Sequence, residues 1–147
     1  VTTFGTASDE LIVGSSVNDR LYGGLGDDIL DAGAGLDAGF QYLGGRGGND
    51  TYIFGKGDGQ VYISSWAETA TSGEADRIVF EDLNVEDLTV RPLDYRSSGW
   101  TAEGIAIRLL WNDGSQNGEL RVALGGQHIE SFEFADGTIM NYDDFLI

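Results

Sequence analysis

Carboxylate side chains recur at a fixed spacing of nine residues in the first quarter of this chain. When nonapeptides are counted from Gly5, the sixth position is acidic in four successive units, at Glu10, Asp19, Asp28 and Asp37. The first position of each unit is small, and the eighth is large and apolar in three of the four. Regularly spaced carboxylates in a glycine-rich setting suit a hard cation that prefers oxygen ligands.

The same period predicts the elements that must hold these carboxylates in place. In each unit, six glycine-rich residues can form a tight turn with positive φ, because glycine lacks a Cβ. The next three residues form a short strand whose central side chain points inward. The apolar eighth positions are Ile12, Leu21 and Leu30. Two units complete one coil, so turns eighteen residues apart stack at the spacing of neighbouring strands, about 4.8 Å.

The period is interrupted once. The apolar eighth position lapses at Gly39, and we expect a four-residue insertion at 40–43. The pattern resumes as GRGGNDTYI, with Gly45 in the first position, Asp50 in the sixth and Tyr52 in the eighth. Asp50 therefore joins the predicted set of carboxylates.

Two stacked turns offer the ligands that calcium prefers. Calcium takes about 6–8 oxygen ligands, including carboxylates and backbone carbonyls, at roughly 2.3–2.6 Å. Two sixth-position carboxylates would also balance its charge. Without the ion, the stack brings like charges together, and one apolar residue in nine offsets little of the conformational entropy lost on folding. We therefore expect calcium binding and folding to be coupled.

One turn in this run carries a family resemblance. The segment GGLGDDILD, residues 23–31, resembles the GGxGxDxUx nonapeptide of RTX (repeat-in-toxin) or haemolysin-type calcium-binding proteins. The resemblance implies a parallel β-roll. It also implies that each ion lies between two turns, with carbonyls of positions two and four from one turn and of positions one and three from the next. Both sixth-position carboxylates complete the ligand set.

Carried onto this sequence, the resemblance implies three pairs of facing turns. Gly24, Gly26 and Asp28 would face Gly45, Gly47 and Asp50. Ser15, Val17 and Asp19 would face Ala32, Ala34 and Asp37. Thr6, Ser8 and Glu10 would face Gly23, Leu25 and Asp28. We expect about two or three bound calcium ions.

Composition narrows the classes of partner. The chain has 25 acidic and 8 basic residues, a net charge of −17 and no cysteine. Phosphate-rich partners such as nucleic acid or an anionic membrane surface would be repelled. The longest apolar run, IAIRLLW, is far shorter than the roughly 18 residues of a membrane span. We predict that the chain binds no nucleic acid and has no membrane span.

Glycine usage marks a boundary between two regions. Fifteen of the 23 glycines lie in residues 1–60. Beyond them we predict strands at DRIVF, EGIAIRLLW, GELRVAL and IESFEF, a short helical turn at NVEDL, and a strand at TVRP that Pro92 limits. EGIAIRLLW and GELRVAL read as antiparallel partners. We expect an all-β fold, with a parallel β-roll over residues 1–63 and an antiparallel β capping unit over residues 64–147.

The second region carries its own resemblance. DRIVFEDLNVEDLTV and IESFEFADGTI are similar to the haemolysin-type calcium-binding-related segment that follows such repeats, and DDFLI is similar to the extreme C-termini of type I-secreted proteins. The chain also begins at Val1 and has its only methionine at Met140, which predicts a piece of a longer protein. The resemblance implies export from a bacterium through type I secretion machinery, with upstream domains as partners.

No catalytic constellation is apparent, since His128 is the only imidazole. We expect a non-enzymatic calcium-binding module that is secreted and folds outside the cell. Any catalytic domain, such as a protease or lipase, would lie upstream. A calcium-dependent carbohydrate-binding or adhesive module is the alternative, with polysaccharide as partner. Its candidate aromatic surface is Trp66, Trp100, Trp111 and Tyr95.

Overall fold

The computed structural model of this protein describes residues 2–15, 19–33, 40–63, 76–94, 105–112, 117–123 and 129–141. These residues form strands and two 3₁₀ turns, Lys56–Asp58 and Val85–Asp87, without an α-helix in the described ranges. The first seven strands are β1 Thr2–Phe4, β2 Leu11–Val13, β3 Arg20–Leu25, β4 Ile29–Asp31, β5 Phe40–Gly47, β6 Thr51–Phe54 and β7 Gln60–Ile63. The other six are β8 Asp76–Phe80, β9 Thr89–Asp94, β10 Ile105–Asn112, β11 Asn117–Ala123, β12 Ile129–Glu133 and β13 Ile139–Asn141.

Successive strands of the repeat region alternate between two sheets. One sheet has the order β1-β3-β5-β7-β11-β10-β9 and the other has the order β13-β12-β8-β6-β4-β2. Among themselves, the strands β1 to β7 pair only in parallel, each with the strand two away in sequence. Each pair of strands, one from each sheet, is therefore one coil of a parallel β-roll. The predicted all-β β-roll is confirmed.

The strand register reproduces the repeat period. Thr2 pairs with Arg20 and Leu11 pairs with Ile29, so the first coils stack eighteen residues apart. The next coil is longer, since Arg20 pairs with Tyr42. A difference of four residues separates the two spacings, as the interruption in the pattern required. Because equivalent repeat positions of successive coils are paired, the turns of each coil lie directly over those of the next.

The structure corrects the location of the insertion. Leu21 pairs with Leu43, so Leu43 and not Gly39 occupies the apolar eighth position. Leu43 is fully buried. Phe40 begins β5, and the additional residues therefore precede it, after Gly33. The sequence pattern was misaligned because an insertion in a turn leaves the inward-facing strand residue to be identified only by its neighbours in the sheet.

The eighth positions form the core of the roll. On one sheet, the register aligns a single inward column, Ile12, Leu30, Tyr52, Ile78 and Phe132. All five are buried, and the last four have no exposed surface. On the other sheet, Leu21, Leu43 and Ile63 form the facing column. The core is consequently narrow, with one layer of side chains from each sheet.

The second half of the chain extends both sheets. The predicted antiparallel pair is confirmed as β10 and β11, with Leu109 opposite Leu120. However, β11 is parallel to β7, and β8 and β12 continue the other sheet in parallel. The capping region is thus mixed, with antiparallel pairing confined to β9, β10 and β11 and to β12 with β13. The domain boundary predicted between residues 63 and 64 stays a prediction. Each of the two sheets contains strands from both sides of it.

Two local expectations need correction. Pro92 does not limit its strand, because β9 runs through it to Asp94 and Pro92 pairs with Ile107. β9 lies at the edge of its sheet, where proline's missing N–H can face away from the ladder. Trp111 is 3% exposed and belongs to the core, so it is not part of an aromatic surface.

Within the described ranges, no helix has the length and apolar character to cross a membrane.

Leu30→Ala should destabilise the calcium-loaded protein by about 2–5 kcal/mol, since it leaves a cavity in the inward column between Ile12 and Tyr52. Leu30 is fully buried, while Leu11, which precedes the Leu30 partner Ile12 on the neighbouring β2, is 65% exposed. Urea unfolding in excess calcium measures the change. Leu11→Ala is the matched control and should lie within about 0.5 kcal/mol of wild type. Equal losses would contradict the assigned inward column.

Candidate metal centre

Sixth-position carboxylates form a buried column along one edge of the roll. The backbone N–H of Glu10 donates to Asp28 Oδ1 at 2.9 Å, and that of Asp28 donates to Asp50 Oδ1 at 2.9 Å. The N–H of Asp50 continues the series to Asp76 Oδ1 at 2.8 Å. Asp28, Asp50 and Asp76 are at most 1% exposed. Each of these aspartate carboxylates therefore accepts the backbone N–H of the residue at the same position one coil earlier.

Backbone pairing immediately after the column fixes its spacing. The N–H of Ile29 donates to Glu10 O at 2.8 Å, and that of Thr51 donates to Asp28 O at 2.8 Å. Arg77 N donates to Asp50 O at 2.9 Å in the same way. These bonds lie at the start of the strands β4, β6 and β8. Because β4 and β6 begin one residue after their carboxylates and β8 begins at Asp76 itself, sheet formation and carboxylate stacking cannot be separated.

First-position glycines bring carbonyl oxygens against the column. A Cβ on Gly23 would overlap Asp28 Oδ2 and lie 2.8 Å from Gly45 O. A Cβ on Gly5 would overlap Gly23 O and lie 2.6 Å from Glu10 Oε2. Each of these spaces thus has a carboxylate on one side and the first-position carbonyl of the next coil on the other. Such a mixed oxygen environment is what calcium requires.

The remaining turn backbone stacks in register. Gly24 has a φ of +112° and Gly26 a φ of +107°, which only glycine adopts readily. Added Cβ atoms there would overlap Thr6 O and lie 2.8 Å from Ser8 O, respectively. The Thr6 carbonyl also accepts the N–H of Leu25 at 2.9 Å. The structure therefore stacks the 6–10 turn upon the 24–28 turn, which is the arrangement that the resemblance implied.

The opposite edge of the roll holds a second carboxylate position. Asp19 is 3% exposed, and its Oδ2 accepts the N–H of Ser15 at 2.6 Å. A Cβ on Gly14 would overlap Ala32 O and lie 3.0 Å from Asp19 Oδ2. This edge therefore repeats the pairing of a carboxylate with a carbonyl from the next coil. The other residues predicted for this edge, Val17, Ala34 and Asp37, lie outside the described residues.

Asp28 has a buried carboxylate oxygen that is suited to a cation. Its Oδ2 is buried and has no hydrogen-bond donor among the residues that the structure describes. Burial raises the pKa of the Asp28 carboxyl, the N–H of Glu10 lowers it, and the carboxylates of Glu10, Asp9 and Asp27 raise it further. An ionised, buried carboxylate needs compensation. A calcium ion between Asp28 Oδ2 and Gly45 O would supply it, so the residues present fit the ion.

Carbonyls must provide a large share of any ligand set. No group of three or more histidine, cysteine, aspartate or glutamate side chains converges on one metal position within the described ranges. Side chains alone would therefore leave calcium undercoordinated. The stacked turns supply the difference from the backbone, which is why glycines at the first, second and fourth positions matter as much as the carboxylates.

The chain's relationship to known proteins agrees with this geometry. Residues 4–38 match the family described as the RTX calcium-binding nonapeptide repeat, in four copies. The coils over these residues are RTX calcium-binding repeats. Comparison with curated proteins gave no match. The RTX match ends at residue 38, whereas the carboxylate column continues to Asp50 and Asp76.

Two features of this edge of the roll were not identified from the sequence. Asp76 extends the carboxylate column, although it lies beyond the glycine-rich region. Its segment, DRIVF, shares with DTYIF an aspartate followed by apolar residues two and four positions later, which is the signal that could have located it. A second, exposed row runs beside the column, where Asp9 Oδ1 accepts the N–H of Asp27 and Asp27 Oδ1 accepts that of Asn49, both at 2.9 Å.

Gly23→Ala should weaken calcium binding, because the added methyl group would occupy the space between Asp28 Oδ2 and Gly45 O. We expect a rise of about tenfold or more in the calcium concentration needed for half-saturation, a loss of about 1.4 kcal/mol or more. Calorimetric titration measures it. Gly57→Ala is the matched control, since nothing lies within 4 Å of a Cβ there. Equal weakening in both variants would exclude the assigned space as part of the site.

Without calcium, the protein should be more stable in mild acid than at neutral pH. The folded-state pKa of Asp28 is raised, and burial, ahead of repulsion from Asp31, Glu81 and Asp82, raises that of Asp58 to about 7. A raised aspartate pKa contributes stability that is full below the ordinary value of about 3.9 and is lost as pH rises through the folded value. The β signal in circular dichroism, followed in chelator from pH 4 to 8, should therefore fall.

Saturating calcium should reverse this pH trend, since ionised carboxylates bind the ion. Asp58→Asn should flatten the upper part of the chelator curve, near pH 7. A calcium-free protein whose β content rises steadily with pH would show that burial does not govern these carboxyl groups.

Proposed function

We propose that this chain is a calcium-dependent folding module of a larger secreted bacterial protein. The observation that carries the proposal is the buried Asp28 Oδ2, which faces Gly45 O across a space that a Cβ would fill. Asp28 lies within the residues that match the RTX calcium-binding repeats, and Gly45 lies in the next coil, which continues their stacking. Calcium is the ion that this repeat family binds, and the oxygen-only surroundings suit it.

Electrostatic repulsion makes folding depend on the ion. The column places buried carboxylates one coil apart in a chain whose net charge is −17. Two unit charges about 5 Å apart interact by roughly 3 kcal/mol at an effective dielectric constant near 20. Several such repulsions exceed what a narrow core can offset within a marginal total stability. Each bound calcium ion would convert this repulsion into attraction, so its binding free energy becomes folding free energy.

The dependence of folding on calcium would determine where and when the protein folds. In the low calcium of a bacterial cytosol, the column would keep the repeats unfolded and therefore suited to export by type I secretion machinery. Millimolar calcium outside the cell would then drive folding by mass action. RTX repeats are typical of secreted bacterial proteins, which supports this localisation. In this proposal the extended sheets of the second half stabilise the last coil, and upstream domains contribute any catalytic activity.

We propose no enzymatic function for this chain itself. Its only histidine, His128, and the DDFLI segment lie outside the described residues. The carbohydrate-binding alternative stays a prediction, because Trp66, Tyr95 and Trp100 also lie outside them and Trp111 is buried.

A calcium titration of the β signal in circular dichroism tests the proposal at neutral pH. The spectrum should change from disordered in chelator to β-rich in calcium, and magnesium should not substitute, since it demands a smaller octahedral site. Asp28→Ala should raise the half-saturating calcium concentration by about 100-fold or more, because Asp28 is assigned as a ligand at two neighbouring calcium sites, one toward Glu10 and one toward Asp50.

Asp136→Ala is the matched control for this titration. Asp136 is an exposed aspartate in the turn between β12 and β13, and its Oδ1 accepts the N–H of Thr138 at 2.9 Å. It should leave the calcium requirement close to that of wild type. A β-rich spectrum of the wild type in excess chelator at neutral pH would overturn the coupling of folding to calcium. Unchanged calcium affinity in Asp28→Ala would overturn the site.

A further inference from the structure

The third full coil contains an unusual amount of backbone freedom at its ligand turn. Four of the five residues at 44–48 are glycine, and Gly48 has a φ of +122°. Glycine loses more conformational freedom on folding than any other residue. The carbonyl of Gly45 must nevertheless be held beside Asp28 Oδ2 if it is to serve as a ligand. Something other than local stiffness has to fix this peptide.

The neighbouring coils fix their first glycine through the sheet. Gly5 N donates to the Tyr22 carbonyl of the next coil at 2.7 Å, and Gly14 N donates to the Asp31 carbonyl at 2.8 Å. At Gly45 a side chain takes this role. The N–H of Gly45 donates to the phenolic oxygen of Tyr52 at 2.7 Å. The described part of β7 ends at Ile63, opposite Leu43, two residues before the level of Gly45.

Tyr52 is itself rigidly placed. It has no exposed surface and lies in the inward column between Leu30 and Ile78. Its strand, β6, belongs to one sheet, whereas Gly45 belongs to β5 of the other. The ring therefore spans the interior and joins the two sheets at the level of the ligand turn. Ile12, Leu21 and Leu30, which occupy the same repeat position in other coils, have no hydroxyl group.

We propose that Tyr52 is a positioning residue for calcium, whose hydroxyl accepts the N–H of Gly45 and so restrains this residue. The carbonyl of Gly45, in the next peptide unit, is thereby held at the space beside Asp28. This inference rests on the proposed calcium function and deepens it. Tyr52 does not touch the ion. It acts through Gly45, and it replaces conformational restraint that a run of glycines cannot supply. Pairing of β5 with β3 also restrains this segment. Loss of the hydroxyl would remove one restraint on Gly45, so the ion would have to order it further on binding, and affinity would fall.

Tyr52→Phe is the direct test, because it removes the hydroxyl and retains the buried ring. We expect the half-saturating calcium concentration to rise by about fivefold to thirtyfold, as for loss of a partner by a buried donor. Ile78→Val is the matched control, since it lies next to Tyr52 in the same column and should lower stability by a comparable amount without touching the turn. Both variants should remain β-rich in excess calcium.

A double-mutant cycle with Asp28→Ala distinguishes positioning from general stability. If Tyr52 acts through the Asp28 site, Tyr52→Phe should add little to the calcium requirement once Asp28 is Ala, while Ile78→Val should add its full effect. Asp28→Asn serves in the cycle if Asp28→Ala does not fold in calcium. Full additivity of Tyr52→Phe, or wild-type calcium affinity in Tyr52→Phe alone, would overturn the inference.

Different experimental results would overturn the proposed calcium function and the positioning role of Tyr52. A wild-type protein without calcium binding would overturn the proposed function and with it the role of Tyr52. A wild type that binds calcium, with a weakened Asp28→Ala and an additive Tyr52→Phe, would overturn the role of Tyr52 alone.

Discussion

The mutual repulsion of stacked carboxylates is the constraint on which the rest of this structure depends. Glu10, Asp28, Asp50 and Asp76 follow one another along an edge of the roll, each accepting or donating a hydrogen bond through the column. Parallel strands cannot form without bringing these groups together, because β4 and β6 begin one residue after their carboxylates and β8 begins at Asp76 itself. In the proposed function, a divalent cation would resolve the conflict by making the close approach of the carboxylates favourable.

The apolar core of the first coils is small. In the strands β2 to β5, one large apolar side chain per strand is buried, which is little apolar burial for the length of chain that it must hold together. A larger core would hold the roll together without an ion. The small core of the first coils therefore supports the proposed dependence of folding on calcium.

The second half of the chain terminates the roll by extending it. β8 and β12 add parallel strands to one sheet, and β11 adds one to the other, so the inward columns continue past the glycine-rich turns. The antiparallel strands β9, β10 and β13 then complete the two sheets at that end. Covering an open parallel edge in this way protects it from pairing with another chain. Asp76 shows that the carboxylate column also crosses into this half.

The sequence by itself determined the features that depend on local spacing. Its nine-residue period placed Asp19, Asp28 and Asp50 in turns and Ile12, Leu21 and Leu30 in strands, because alternation and glycine content are properties of neighbouring residues. The tertiary structure alone decided the features that depend on pairing between distant residues. It identified Leu43 as the inward residue of the longer coil, added Asp76 to the column, and set the parallel direction of β8 and β12. It also placed the Tyr52 hydroxyl on Gly45 N across the interior. These contacts require knowing which coil stacks on which, and the register of a sheet is fixed only when its strands meet.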